Sequence, residues 1–197
     1  MVDLDGALAG KSKNLPAIKA ILQNSTIPVE LGGGIRTMEQ VEQLFALGLH
    51  QVILGSIAVK DPEFVKEVAC QYPGRIVAGI DAKNGIVAVE GWKKSGQMAV
   101  TDLANAMAKA GVARIIYTDI ARDGTLTGVN VVETIAVAKA AGIPVTASGG
   151  VAGVEDLKAI KKAEPYGVEG CIIGKALYTG AIALAEAVQL AKEVAGC

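Results

Sequence analysis

The sequence predicts a parallel α/β fold of barrel type, built from βα units and incomplete at its amino end. Three observations predict it. Short apolar strands alternate with helical patterns at intervals of roughly thirty residues, the signature of βα units around a parallel sheet. The segment Ile27-Pro28-Val29-Glu30-Leu31-Gly32-Gly33-Gly34-Ile35 is echoed 116 residues later by Ile143-Pro144-Val145-Thr146-Ala147-Ser148-Gly149-Gly150-Val151, and Val2-Asp3-Leu4 matches Thr118-Asp119-Ile120 at the same offset. The strand Arg75–Asp81 has no such counterpart, because the position 116 residues before it lies ahead of residue 1. An eight-unit fold entered inside its second unit is therefore expected, with about six to seven strands.

Strands are expected at about 1–4, 28–32, 51–55, 75–80, 114–119, 144–148 and 170–173, and Ile86-Val87-Ala88-Val89 reads as a hairpin arm. A helix near 15–23 follows the first strand. Thr37-Met38-Glu39-Gln40 is a capping-box pattern, with Val41, Leu44 and Phe45 as the buried stripe and Gly48 as the stop. Asp61-Pro62 opens the next helix, with Val65, Val68 and Ala69 inward until Tyr72-Pro73 ends it. Thr101-Asp102 opens another, with Leu103, Met107 and Ala110 on one side. Further helices are expected near 129–141, 153–163 and 180–194. No linker or low-complexity stretch divides residues 1–197, so one partial-barrel domain is the simplest account.

Half the residues are hydrophobic and a fifth are charged, which argues for a globular chain with a substantial core. No apolar run reaches the length of a membrane span, and the amino terminus lacks a signal-peptide pattern, so the expected setting is the cytoplasm. A net charge of −1 and few aromatics provide no basic stripe or stacking platform for nucleic acid. Cys70, Cys171 and Cys197 show no paired spacing, and neither a metal nor a cofactor is expected.

Chemistry in such folds lies at the carboxyl ends of the strands. Glycine runs between a buried strand and a helix let backbone N–H groups reach an anion at the helix N-terminus. Here Gly33 and Gly34 with Gly55 and Ser56 form one candidate site, and Ser148, Gly149 and Gly150 with Gly174 and Lys175 form the other. A ligand with a phosphate at each end is expected. Asp81 closes an apolar strand and reads either as a general acid or as a turn cap pairing with Lys83. Thr118, Asp119 and Asp123 can face the same mouth, although Asp123-Gly124 is also a plain turn dipeptide. Asp3 and Asp5 stand at the equivalent rim. Trp92 either closes over a planar ring or packs the arm onto the barrel; His50 reads as structural, and Lys175 as a phosphate contact or a solvated lysine.

Taken together, Val2-Asp3-Leu4-Asp5-Gly6-Ala7, Leu31-Gly32-Gly33-Gly34-Ile35-Arg36, Gly79-Ile80-Asp81-Ala82, Val89-Glu90-Gly91-Trp92, Tyr117–Gly124, Ala147-Ser148-Gly149-Gly150-Val151 and Ile173-Gly174-Lys175-Ala176-Leu177 form a specific set covering the whole chain. In these motifs the chain resembles the histidine-biosynthesis isomerase that converts phosphoribosylformimino-aminoimidazole-carboxamide ribotide to its ribulosyl isomer. The resemblance implies a TIM-type barrel with half-barrel symmetry and a bis-phosphorylated substrate. It implies Asp81 as general acid, Thr118 and Asp123 as residues orienting the substrate, and Trp92 as a loop residue covering it. It also places the general base on a strand ahead of residue 1, so impaired turnover by this chain is expected, with Asp3 or Asp5 as possible deputies. Two other readings are a phosphate-binding or self-assembling partial barrel without turnover, and the sister cyclase of imidazole glycerol phosphate synthesis. A homo-oligomer joined through exposed sheet edges is the expected assembly.

Overall fold

The structure is a computed structural model and describes residues 1–89 and 94–192. Six parallel strands form one curved sheet: β1 (Glu30–Gly32), β2 (Gln51–Leu54), β3 (Ile76–Lys83), β6 (Arg114–Asp119), β7 (Val145–Ser148) and β8 (Val168–Cys171), in that order. Two antiparallel strands, β4 (Ile86–Val89) and β5 (Lys94–Ala99), extend from β3 as the expected arm and bring the sheet to eight strands. The turn into the arm is Asn84-Gly85, both at positive φ, the backbone demanded by a two-residue hairpin that keeps the native strand twist.

Helices run between the parallel strands: α1 (Leu4–Ala9), α2 (Leu15–Asn24), α3 (Met38–Ala46), α4 (Ser56–Lys60), α5 (Pro62–Gln71), α6 (Val100–Lys109), α7 (Val131–Ala141), α8 (Val154–Lys161), α9 (Lys175–Tyr178) and α10 (Leu184–Lys192). The caps expected at Thr37 and Asp61 are formed, whereas α6 starts at Val100, ahead of Thr101-Asp102, with no side-chain cap. Gln40 N donates to Thr37 Oγ1 and Thr37 N donates back to Gln40 Oε1, while Phe64 N donates to Asp61 Oδ1 one turn into α5. These bonds satisfy amide groups that have no partner within the helix.

Two expected strands need correction. Positions 1–4 form only a single bridge, Val2 to Gly32, because Asp3 turns the chain into α1 by accepting the Gly6 N–H at 2.8 Å. The last strand begins at Val168 rather than 170, since Val168 pairs with Val145 across a bulge. Asp81 also differs from its expected place. β3 continues through it to Lys83 and into the arm, so Asp81 stands two residues before the strand end.

Strand alternation divides the sheet's two faces. Leu31, Val52, Leu54, Ile76, Ile80, Ile115, Tyr117, Val145 and Val168 are buried beneath the helices, against Val41, Val65, Val68, Leu103, Met107, Val137 and Leu157. The concave face carries a polar cluster at the amino ends of the strands. Arg114 of β6 pairs with Glu30 of β1, donates to Gln51 of β2 at 3.3 Å and to Thr146 of β7 at 2.9 Å, and lies 3.5 Å from Glu169 of β8. One side chain thus meets both outermost strands, so the sheet curls in the manner of a TIM barrel, although β1 and β8 are not paired with each other among the described residues.

Candidate active site

Above that polar cluster the concave face becomes apolar and then polar again. Ile53 of β2 packs where Gly32 and Gly79 carry no side chain; a Cβ at either glycine would stand 3.2 Å from an Ile53 carbon. Ile116, the register partner of Gly79, lies on the same face. Higher on the same face, Asp81 is the register partner of Thr118, and Thr118 of Ser148. Parallel neighbours in register point the same way, so three polar side chains from β3, β6 and β7 form a row about 10 Å across at the carboxyl ends of their strands. Asp123 is not part of this row. It is exposed on the loop after β6, where its N–H donates to Asp119 O at 3.0 Å.

The two glycine sites have matching architecture. Gly55 caps α4 at φ −97°, ψ −101°, and Gly174 caps α9 at φ −97°, ψ −103°. Gly33, Gly34, Gly149 and Gly150 all have positive φ. Packing already requires these two glycine pairs before any ligand is considered: a Cβ on Gly149 would press on Asp119 O at 2.6 Å, one on Gly33 would strike Asp3 O, and Gly34 and Gly150 abut the carbonyls of Gly6 and Gly128. Gly55 and Gly174 meet no such obstacle. The repeat extends to one side chain that the residues alone did not single out, Asp156. Gln40 Oε1 of the capping box accepts from Arg36 N and Thr37 N, and Asp156 Oδ2, 116 residues on, accepts from Ala152 N and Gly153 N. The same offset, applied to Gln40, would have found it.

Lys175 donates to Gly124 O at 3.1 Å and so ties the start of α9 to the Asp123 loop. Ser56 is exposed at the start of α4. Trp92 lies outside the described residues. His50 sits at the opposite end of the strands, where its carbonyl accepts from Arg75 Nε at 3.1 Å. A surface cavity of about 470 Å³ at that end, lined by Ile27, Pro28, His50 and Arg75 among others, is remote from the row of Asp81. Among the described residues no group of three or more His, Cys, Asp or Glu is placed to hold a metal. Cys171 is free, and burial, followed by the charge of Asp156, pushes its thiol up to about 11.

Asp3 is no deputy base. Its carboxylate is 3% exposed and accepts from Gly6 N, Ser12 Oγ, Lys13 N, Asn14 N and Asn14 Nδ2 at 2.7–3.2 Å. Burial by itself would raise its pKa, but the hydrogen bonds from Lys13, Gly6, Asn14 and Ser12 outweigh burial and hold it well below the usual carboxylate range. A folded-state value below the unfolded one, about 3.9, contributes stability that is complete above roughly pH 4 and is lost as pH falls through the folded value. Asp3→Asn is expected to cost about 1–3 kcal/mol at pH 7. It should also flatten the loss of stability between about pH 4 and 2. Urea midpoints at pH 7, 4 and 2.5 check both; parallel pH profiles for the two proteins would refute the assignment. Asp5 is exposed and accepts only a 3.1 Å bond from Asn14 Nδ2 among the described contacts.

Comparison with known proteins decides the family. Residues 1–183 match the family described as histidine biosynthesis protein. A relative from Trichormus variabilis is 53% identical over 189 residues, covering 96% of this chain and 74% of its own length. One from Trichlorobacter lovleyi is 51% identical over 197 residues, covering 100% and 80%, and one from Geobacter sulfurreducens is 52% identical over 192, covering 98% and 79%. All three bear the name of an imidazole-4-carboxamide isomerase with two phosphoribosyl groups in its substrate. This chain belongs to the histidine-biosynthesis isomerase family. Membership of that family accords with the barrel-type sheet and gives no support to impaired turnover, to a binding-only module or to the sister cyclase. No described helix is long and apolar enough to cross a membrane.

Proposed function

We propose that this histidine-biosynthesis isomerase catalyses an Amadori rearrangement, aldose to ketose, on a ribotide bearing a phosphate at each end. The observation that carries the reading is the row of Asp81, Thr118 and Ser148, set on one concave face between two glycine sites of matched backbone. Opening the ribose needs a proton delivered to the ring oxygen, and completing the isomerisation needs one removed from the adjacent sugar carbon. Asp81 is assigned the first task. Thr118 and Asp123 orient the sugar, and Trp92 covers the ligand. Gly33, Gly34, Gly55 and Ser56 hold one phosphate; Ser148, Gly149, Gly150, Gly174 and Lys175 hold the other. Backbone N–H groups there supply donors without side-chain entropy cost, and Lys175 adds a charge. The setting is the cytoplasm, and free phosphate or sulfate are expected weak occupants of the same two sites.

The direct test follows conversion of the ribotide to its ribulosyl isomer, alongside titration with a bis-phosphorylated analogue that carries no reactive sugar. Saturable binding with turnover supports the reading, and absence of both overturns it. Self-association is a further expected property, since Val2, Leu4 and Leu8 beside β1 and Ile172, Tyr178 and Leu184 beyond β8 leave apolar side chains in water. Sedimentation that shows only monomer at micromolar concentrations would count against it.

A further inference from the structure

Thr118 is flanked in β6 by two residues anchored on the opposite, helix-facing side. Tyr117 Oη donates to Glu133 Oε2 at 2.6 Å, and Asn130 Nδ2 donates both to that oxygen at 2.9 Å and to Asp119 Oδ2 at 2.8 Å. Arg122 lies 3.4 Å from the same Asp119 oxygen and donates to Gly128 O, which ties the loop after β6 into the cluster. The other carboxylate oxygen of Glu133 reaches the Asn84-Gly85 turn; a Cβ on Gly85 would stand 3.2 Å from it. Glu133 therefore bonds to the strand that carries Thr118 and to the end of the loop that carries Asp123, and its other oxygen stands close to the turn that launches the arm.

The internal repeat supplies a control. Asp3 and Asn14 reproduce Asp119 and Asn130 at the 116-residue offset, with Asn14 Nδ2 donating to Asp3 Oδ1 at 2.7 Å. Met1 and Ala17, however, stand where the second half has Tyr117 and Glu133. The first half makes the Asp–Asn pair without a phenol–carboxylate pair beside it, so the phenol–carboxylate pair is an addition, and it occurs in the half that contains Asp81 and Thr118. Tyr117 is 1% exposed, and burial followed by the Glu133 bond and charge raises its pKa, which keeps the phenol a donor.

We propose that Glu133 is a positioning residue for the isomerisation, acting through Tyr117 and Asn130 to hold Thr118, the 119–129 loop and the 84–85 turn around the sugar of the substrate. The proposal rests on the isomerase reading for its consequence in catalysis.

Removing both partners together avoids stranding a buried hydroxyl, so the test variant is Tyr117→Phe with Glu133→Ala, compared with Glu133→Gln, which keeps an acceptor for the phenol. The double variant is expected to lower kcat roughly 10- to 100-fold with KM within about threefold of the parent. Amide exchange at 119–129 and 84–86 should quicken while the melting temperature holds, and Glu133→Gln should recover most of the rate. Parental kcat, or unchanged exchange in those segments, overturns the proposal. Should the double variant fail to fold, Tyr117→Phe alone is read by the same two measurements. If the parent shows no turnover, the isomerase reading falls, and the exchange measurement still decides whether Glu133 orders these segments.

Discussion

Asp81→Asn is expected to lower kcat for ribotide isomerisation about 10²–10⁴-fold, the usual contribution of one general acid. The side chain projects from one end of the concave row, beside Thr118 on β6, on the face that also carries Ile53 and Ile116. Asparagine has nearly the same volume and can keep hydrogen bonds, but it has no proton to give to a leaving ring oxygen. KM should change little if, as proposed, the two phosphates are held elsewhere at the glycine sites, and a loss confined to kcat marks an interaction made in the transition state. Steady-state kinetics of parent and variant at matched folded fraction provide the measurement. Turnover within threefold or so of the parent would remove Asp81 from the general-acid role and move attention to another group at the same mouth.

Gly149→Ala is expected to destabilise the protein by about 2–5 kcal/mol, combining a strained positive φ with forced overlap. Gly149 has φ +91°, and its new methyl would stand 2.6 Å from Asp119 O. That carbonyl cannot step aside cheaply, since it accepts from Arg122 N at 3.1 Å and Asp123 N at 3.0 Å, and Asp119 is paired with Ala82 in the sheet. Gly174 is the comparison: it has φ −97° and nothing within 4 Å of a built Cβ, so Gly174→Ala should stay within about 1 kcal/mol of the parent. Thermal melting separates them, with a fall of roughly 5–15 °C expected for the first and little for the second. Equal melting temperatures would show that the packing argument is wrong.

Much of the fold was legible in the residues because it follows from local rules. The pattern of apolar residues placed β2, β6 and β7 nearly to the residue and the start of β3, and Thr37, Asp61 and Pro62 marked helix starts by satisfying or omitting amide donors. The 116-residue repeat marked both strand–glycine–helix turns, and Thr118 and Ser148 followed from strand ends, whereas β3 runs on past Asp81 to Lys83. Positions 1–4 misled, since their strand pattern is overruled by Asp3 capping α1.

By itself, then, the sequence determined the βα order, the doubled strand–glycine–helix units and the polar residues that close the strands. Tertiary structure alone decided which of those residues meet. Arg114 and Glu30 are 84 residues apart in the chain yet pair across the concave face, Asp3 is saturated by donors up to eleven residues away, and Glu133 of α7 binds Tyr117 of β6 close beside the hairpin turn. No local pattern encodes these contacts, because each depends on the curl and register of the assembled sheet, which only the packing of all six parallel strands against their helices can set.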